Sequence, residues 1–212
     1  MTQKERQERS KKEILQAAVE EFGEKDYAKV TMDSICARRN ISKGMMYHYF
    51  SGKDELFLIC VKNMFFLLKD FISNKVQSLM QNEEISAIKE YFLIREEFFS
   101  ENPLYKNIFE NAMFKTPKHL TEQVVQLRKP LRDLNQSFIE SLLSKMVIRD
   151  SLSFENASRY ISSIEYVFWG LVRQYKPCDE MKDFHSLVEA SEEIFDMIFY
   201  GIVKQKNRSI AE

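Results

Sequence analysis

Ile14, Ala18 and Phe22 recur every four residues, and Leu15 and Val19 widen the stripe, so the chain is predicted to open with an amphipathic helix. Two capping boxes compete for its start, Thr2 with Glu5 and Ser10 with Glu13. The first puts Lys4, Arg6 and Arg9 on the helix and is preferred; the second leaves them on a loose arm. Two short apolar segments follow, Thr31–Arg39 and Ser42–Phe50. Thr31 can cap the first, Asp33 complements its dipole, and Asn40 stands where the chain must reverse, in a left-handed conformation that Asn tolerates. The pair reads as helix-turn-helix.

Beyond Ser51 and Gly52 the periodicity lengthens. Leu56, Phe57, Ile59, Cys60, Met64, Leu67, Leu68 and Phe71 predict a helix from Lys53 to about Met80, and another follows from Asn82 to about Ser100. Asn102 with Pro103 and Thr116 with Pro117 each place a capping residue before a proline suited to a first helical position. Pro130 is expected to kink or split its helix. Ser153 can cap a helix running to Tyr175 and stopped by Pro177, and a last helix covers roughly Asp183 to Lys206.

Composition narrows the fold further. Five Gly and four Pro make up about 4% of 212 residues, against roughly 12% in globular proteins, which disfavours sandwiches, Rossmann folds and phosphate-cradling loops. No stretch lacking Lys, Arg, Asp and Glu exceeds ten residues, short of the roughly 20 a membrane span needs, and the polar Met1–Lys12 has no signal-peptide core. A cytoplasmic protein with no membrane partner is expected. Cys36, Cys60 and Cys178 form no CxxC pair and read as reduced thiols. His48, His119 and His185 are scattered without HExxH or ExxH spacing, and there is no GxSxG or Walker sequence. Neither an enzyme nor a metal or other cofactor is expected.

The net charge of −1 hides an asymmetry. Residues 1–53 hold 11 Lys/Arg and 8 Asp/Glu, a net +3, which permits nucleic-acid contact at that end without proving it. Thr31 and Ser42 put hydroxyls and helix-start amides where a phosphate can bind, Lys43 and Lys53 add cations, and Tyr47 and His48 offer polar tips.

The run VTMDSICARRNISKGMMYHYFSGKDEL, preceded by ILQAAVEEFGEKDY, resembles the DNA-binding head of the tetracycline-repressor (TetR) family over about 45 residues. The resemblance implies an all-α fold of about nine helices. Residues 1–52 would be a three-helix helix-turn-helix DNA-binding domain, and 53–212 a larger helical ligand-binding and dimerisation domain. It also implies phosphate contacts from Thr31, Ser42, Lys43, Tyr47, His48 and Lys53. Met45, with Lys43 and Gly44, would read bases, its thioether packing on a thymine methyl. Ile35, Ile41, Met46, Tyr49 and Phe50 read as the head's core. Asp26 and Asn40 stand where the family usually has Gly, and both can enter left-handed backbone. Arg38 and Arg39 are either extra phosphate contacts or a solvated face.

In the body, the helices after Ser153 and Asp183 carry apolar residues on two sides, one for their own domain and one for a second subunit. The resemblance implies the same helix pair as a four-helix bundle, with Ile161, Phe168, Gly170, Leu171, Phe195, Ile198 and Ile202 at the dimer seam. Phe92, Phe99, Met113, Phe114, Phe138, Tyr166 and Trp169 are candidates for a cavity taking a hydrophobic or amphipathic small molecule, though plain core is equally served by them. Arg95 falls on the apolar arc of Ile85, Ile88, Phe92 and Phe99 and needs a partner, either a ligand carboxylate or a neighbouring acid. The expected protein is a homodimeric repressor released by ligand from a palindromic operator in double-stranded DNA. A helical protein-interaction adaptor or a ligand-independent regulator is the alternative.

Overall fold

The computed structural model describes residues 2–175 and 195–202, the side chains of 165–175 excepted. All regular elements among them are helical: α1 (Gln3–Glu24), α2 (Met32–Arg38), α3 (Lys43–Tyr49), α4 (Lys53–Leu79), α5 (Glu84–Glu101), α6 (Pro103–Phe114), α7 (Thr121–Leu143) and α8 (Phe154–Tyr175), with short 3-10 turns at Tyr27–Lys29 and Lys118–Leu120. Residues 195–202 are helical too. Pro177, Cys178, His185 and the rest of the expected last helix lie outside the described residues. None of the described helices is long and apolar enough to cross a membrane.

Helix starts follow local chemistry. Thr2 and Glu5 form the capping box that opens α1, so the early start holds and Lys4, Arg6 and Arg9 are helical. Ser153 Oγ accepts the Asn156 amide and opens α8 as expected. One expectation is corrected and another narrowed. The Thr116–Pro117 step opens only a 3-10 turn, and α7 starts at Thr121. Pro130 does not split α7. Pro130 and Gln126, whose carbonyl loses its usual donor, are both exposed, so water can satisfy that carbonyl.

The chain forms two compact units. The first comprises Met1–Phe71 and Glu97–Leu131, and its core gathers Ile14, Ala18, Phe22, Ile35, Met46, Leu56 and Phe57. Phe22 and Tyr27 pack on Phe57 with ring centroids 5.2 and 5.0 Å away. The second comprises Ile72–Glu96 and Arg132–Glu212, where Tyr91 stacks on Phe138 at 4.1 Å and Phe92 on Phe195 at 5.5 Å.

In the first unit α1 and α6 approach closely. A Cβ added to Gly23 would sit 2.7 Å from Leu104 Cβ and 3.0 Å from its Cα. Relief would have to come from the backbone. Gly23→Ala is therefore expected to lose about 1–2 kcal/mol despite Ala's better helix propensity, a shift readable in urea denaturation. A variant as stable as the parent would show that the contact relaxes freely.

Polar groups of α6 finish the end of α1. Asn107 Nδ2 donates to the Phe22 and Lys25 carbonyls, and Asn111 Nδ2 donates to Lys25 O while its Oδ1 accepts the Tyr27 amide at 3.1 Å. Lys115 reaches Asp26 at 2.6 Å. These side chains recur at four-residue steps along one face of α6 and satisfy carbonyls that a helix C-terminus leaves without donors.

Candidate nucleic-acid interface

The two short helices are held by their own end groups. Thr31 Oγ1 accepts the Ser34 amide at 3.0 Å, and Ser34 Oγ accepts the Thr31 amide in return, also at 3.0 Å. The Ile41 amide donates to Cys36 O at 2.9 Å, closing the turn around Asn40. Asn40, with φ 51°, is the one non-glycine residue of positive φ among the described residues. Asp26, by contrast, is extended at φ −61°, so this position makes no left-handed demand and a carboxylate suits it. Ser42 Oγ accepts the Met45 amide at 3.2 Å and opens α3.

Only Met46 of α3 is buried, anchoring the helix beside Ile35, Ile41 and Phe50; Tyr49 is half-buried. The remaining candidates form an outward row. Thr31, Ser42, Lys43, Gly44, Tyr47 and His48 are exposed, and Met45 and Lys53 are half-buried. Tyr47 is 56% exposed, large for an aromatic with no packing role. Around Gly44 no atom of the chain lies within 4 Å of an added Cβ. Nothing inside the protein therefore asks for glycine here.

Two of the candidate cations have internal partners. Lys43 pairs with Asp33 at 2.7 Å, and hydrogen bonding by that carboxylate raises the Lys43 pKa above its ordinary value. Both side chains are about two-thirds exposed, so the pair is weak and exchangeable. Lys53 Nζ donates to the Tyr27 carbonyl at 3.2 Å and lies 4.1 Å from the centre of the Tyr27 ring.

Arg38 and Arg39 pair with carboxylates of α1 in this structure. Arg38 bonds Glu21 at 2.5 Å and also Glu24, and Arg39 bonds Glu20, so the end of α2 is strapped to α1. Glu21 is buried, which by itself raises its pKa; hydrogen bonds from Lys25, Arg38 and Ser34 outweigh burial and bring it down to about 2.

A further polar cluster escaped the sequence reading. The Tyr27 hydroxyl donates to Asp54 Oδ1, and His119 Nε2 lies 2.7 Å from Asp54 Oδ2. The Tyr27 bond, the largest influence, outweighs burial and, helped by His119, lowers the Asp54 pKa, while burial raises that of Tyr27. No local sequence signal marks it, because Asp54 lies 27 residues from Tyr27 and 65 from His119.

In the second unit Phe92, Arg95 and Phe138 come together. Arg95 is fully buried; its Nη1 donates to Tyr91 O at 2.8 Å and its Nη2 to Asn135 Oδ1 at 2.7 Å, and its guanidinium lies over the Tyr91 and Phe92 rings. The Tyr91 hydroxyl also donates to Asn135 Oδ1, at 2.6 Å. Phe99 packs on Phe109 in the first unit, and Met113 and Phe114 are half-buried there. Of the seam candidates, Ile161, Phe195 and Ile202 are buried and Ile198 half-buried, while Tyr160, Met197 and Tyr200 are exposed. The side chains of Tyr166, Phe168, Trp169, Gly170 and Leu171 lie outside the described residues. Among the described residues no three His, Cys, Asp or Glu side chains gather to hold a metal ion.

Residues 14–60, the segment built from α1 to the start of α4, match the family described as bacterial regulatory proteins, tetR family (TetR_N). The chain is 34% identical over 62 residues to the biofilm operon icaADBC HTH-type negative transcriptional regulator IcaR of Staphylococcus epidermidis, covering 29% of this chain and 34% of that one. It is 29% identical over 72 residues to the transposon Tn10 TetC protein of Escherichia coli, covering 34% of this chain and 36% of that one. The matches thus span about a third of the length of these relatives. In fold, the chain resembles the transcriptional regulator FadR from Bacillus subtilis in complex with stearoyl-CoA, with TM-score 0.69 and 15% identity over 90% of this chain and 98% of that one.

Proposed function

The chain belongs to the tetR family of bacterial regulatory proteins, and from that premise we propose that it is a sequence-specific DNA-binding transcriptional regulator. It would bind a palindromic operator as a homodimer, repress from there, and leave on binding a small molecule. Residues 1–52 would read DNA and 53–212 would take up ligand and dimerise.

The observation that carries the reading is the outward row on α2 and α3. Thr31, Ser42, Lys43, Gly44, Met45, Tyr47 and His48 are presented around a helix anchored by Met46, with open space at Gly44. Hydroxyls, an ammonium and polar aromatic tips suit phosphate, and Lys53 joins them by letting go of Tyr27. A side chain at position 44 would hold α3 off the duplex. Gly44→Ala is accordingly expected to gain up to about 1 kcal/mol in stability and to bind its operator about tenfold more weakly. Unchanged affinity in a titration of labelled duplex would remove Gly44 from the interface.

For the second copy, the surface left to it includes Tyr160, Met197 and Tyr200, exposed beside the buried Ile161, Phe195 and Ile202. For the ligand, a hydrophobic or amphipathic molecule fits the aromatic surroundings of Arg95. The FadR neighbour's complex with stearoyl-CoA makes that molecule a suitable first probe of operator release. Release would follow from linkage: a ligand preferring a body shape with misplaced heads weakens DNA binding by the factor by which DNA weakens its own.

Selection of duplexes from a random pool with the purified chain, at two salt concentrations, tests the reading. Enrichment of a rough palindrome with half-sites about one helical turn apart, and a dimer in sedimentation, are the expected results. A monomer at micromolar concentration that enriches no duplex would overturn it.

A further inference from the structure

α1 is longer than its packing requires. Residues 2–9 are exposed throughout, and the first buried side chain of the helix is Ile14. A helix that is polar on every side over its first three turns gains nothing from a core, so its order rests on local bonds. The Thr2–Glu5 capping box and the Arg9–Glu13 bond at 3.1 Å supply them, and they occupy two of its carboxylates. Glu8, the remaining carboxylate of this stretch, borders a hollow that Lys11, Lys12, Leu104 and Tyr105 also line.

Lys4, Gln7 and Lys11 follow one another at helical spacing on a single stripe of α1. The Lys11 ammonium lies 5.5 Å from the centre of the Tyr49 ring, which places this stripe beside the reading helix α3. Among the described residues Lys4 has no ion-pair partner, and the contact that Lys11 makes is with that ring. Seven residues of rise put Lys4 about 10 Å further along the helix, or about three base pairs of duplex.

Resting on the DNA-binding reading above, we propose that Lys4 and Lys11 form a second phosphate-contacting surface, carried by α1 beside α3, that extends the contact beyond the base pairs α3 reads. The occupant is the duplex backbone, because the stripe offers two cations about 10 Å apart beside Gln7, with Glu8 as the neighbouring acid, and no apolar surface. The Tyr49 ring holds Lys11 in place, and the capping box keeps Lys4 on a rigid helix.

The test uses the duplex recovered from the random pool, once with its flanks and once trimmed by about three base pairs at each end. Affinity is measured across a salt series for the parent, for Lys4→Gln/Lys11→Gln and for Lys4→Arg/Lys11→Arg, with circular dichroism to check helix content. On the flanked duplex the Gln pair should flatten the slope of log affinity against log salt by about 3.6, at about 0.9 per phosphate and four phosphates per dimer, and the Arg pair should keep the parent's slope. Trimming should shrink the difference between parent and Gln pair. Equal slopes for parent and Gln pair on the flanked duplex, with equal helix content, would overturn this inference and leave the α3 interface standing. A parent that binds no duplex would overturn both.

Discussion

An Arg95→Ala chain is expected to lose about 3–5 kcal/mol of stability, seen as a fall in melting temperature of roughly 10 °C. The side chain is fully buried, so its removal leaves a cavity in the second unit. It also takes charged donors from Tyr91 O and Asn135 Oδ1, which Nη1 and Nη2 now satisfy. Asn135 keeps the Tyr91 hydroxyl, so part of the network survives. Arg95→Met retains most of the volume and should recover a large part of the loss, because a buried charge replaced by apolar bulk is often close to neutral. Melting curves of the three chains decide this; an Ala variant within 1 kcal/mol of the parent would deny Arg95 any structural weight. A small molecule that releases the operator separates the two roles. An Arg95 that only braces the core leaves release intact in the Met variant, whereas one that grips an anionic group of the ligand does not.

Acid should weaken the first unit through Glu21. Its pKa falls from an ordinary 4.5 to about 2 in the folded chain, so the charged form is bound more tightly than in the unfolded one. The stabilisation is complete above about pH 4.5 and is lost as pH falls toward 2. Its full size is on the order of 3 kcal/mol. Glu21→Gln mimics the protonated form and should be less stable than the parent by about that amount at neutral pH. Denaturation at a series of pH values should show the two stabilities converging between about pH 4.5 and 2. A gap that stays constant over that window would mean the Lys25 and Arg38 bonds do not hold the charge.

Local signals were legible wherever a single residue chooses the backbone. Thr2, Thr31 and Ser153 cap the helices they were expected to cap, Asn102 makes no cap bond ahead of Pro103, and Asn40 turns the chain in left-handed backbone. The row proposed to meet DNA is exposed around one anchor, Met46, which the sequence placed in the head's core. What stayed hidden depends on partners distant in sequence. Arg38 and Arg39 read as free cations because Glu20, Glu21 and Glu24 become their neighbours only when α2 folds back on α1. The Tyr27–Asp54–His119 cluster draws on positions up to 92 residues apart. Thr116–Pro117 has the chemistry of a helix start, yet Pro117 leads only into a 3-10 turn, and Thr121 takes over as α7 begins. The seam candidates share one stripe, and a stripe does not say whether its own chain or a second one covers it; Phe195 and Ile202 are already buried.

The row of Asn107, Asn111 and Lys115 has a consequence for anyone building chimeric regulators. Residues 1–52, proposed to read DNA, do not complete their own hydrogen bonds. Grafted onto a foreign body, they would carry Phe22 and Lys25 carbonyls and a Tyr27 amide stripped of the α6 side chains that complete them. A transplant that keeps its reading helices in register must bring that face of α6, and the small residue Gly23 that lets it dock, along with the head.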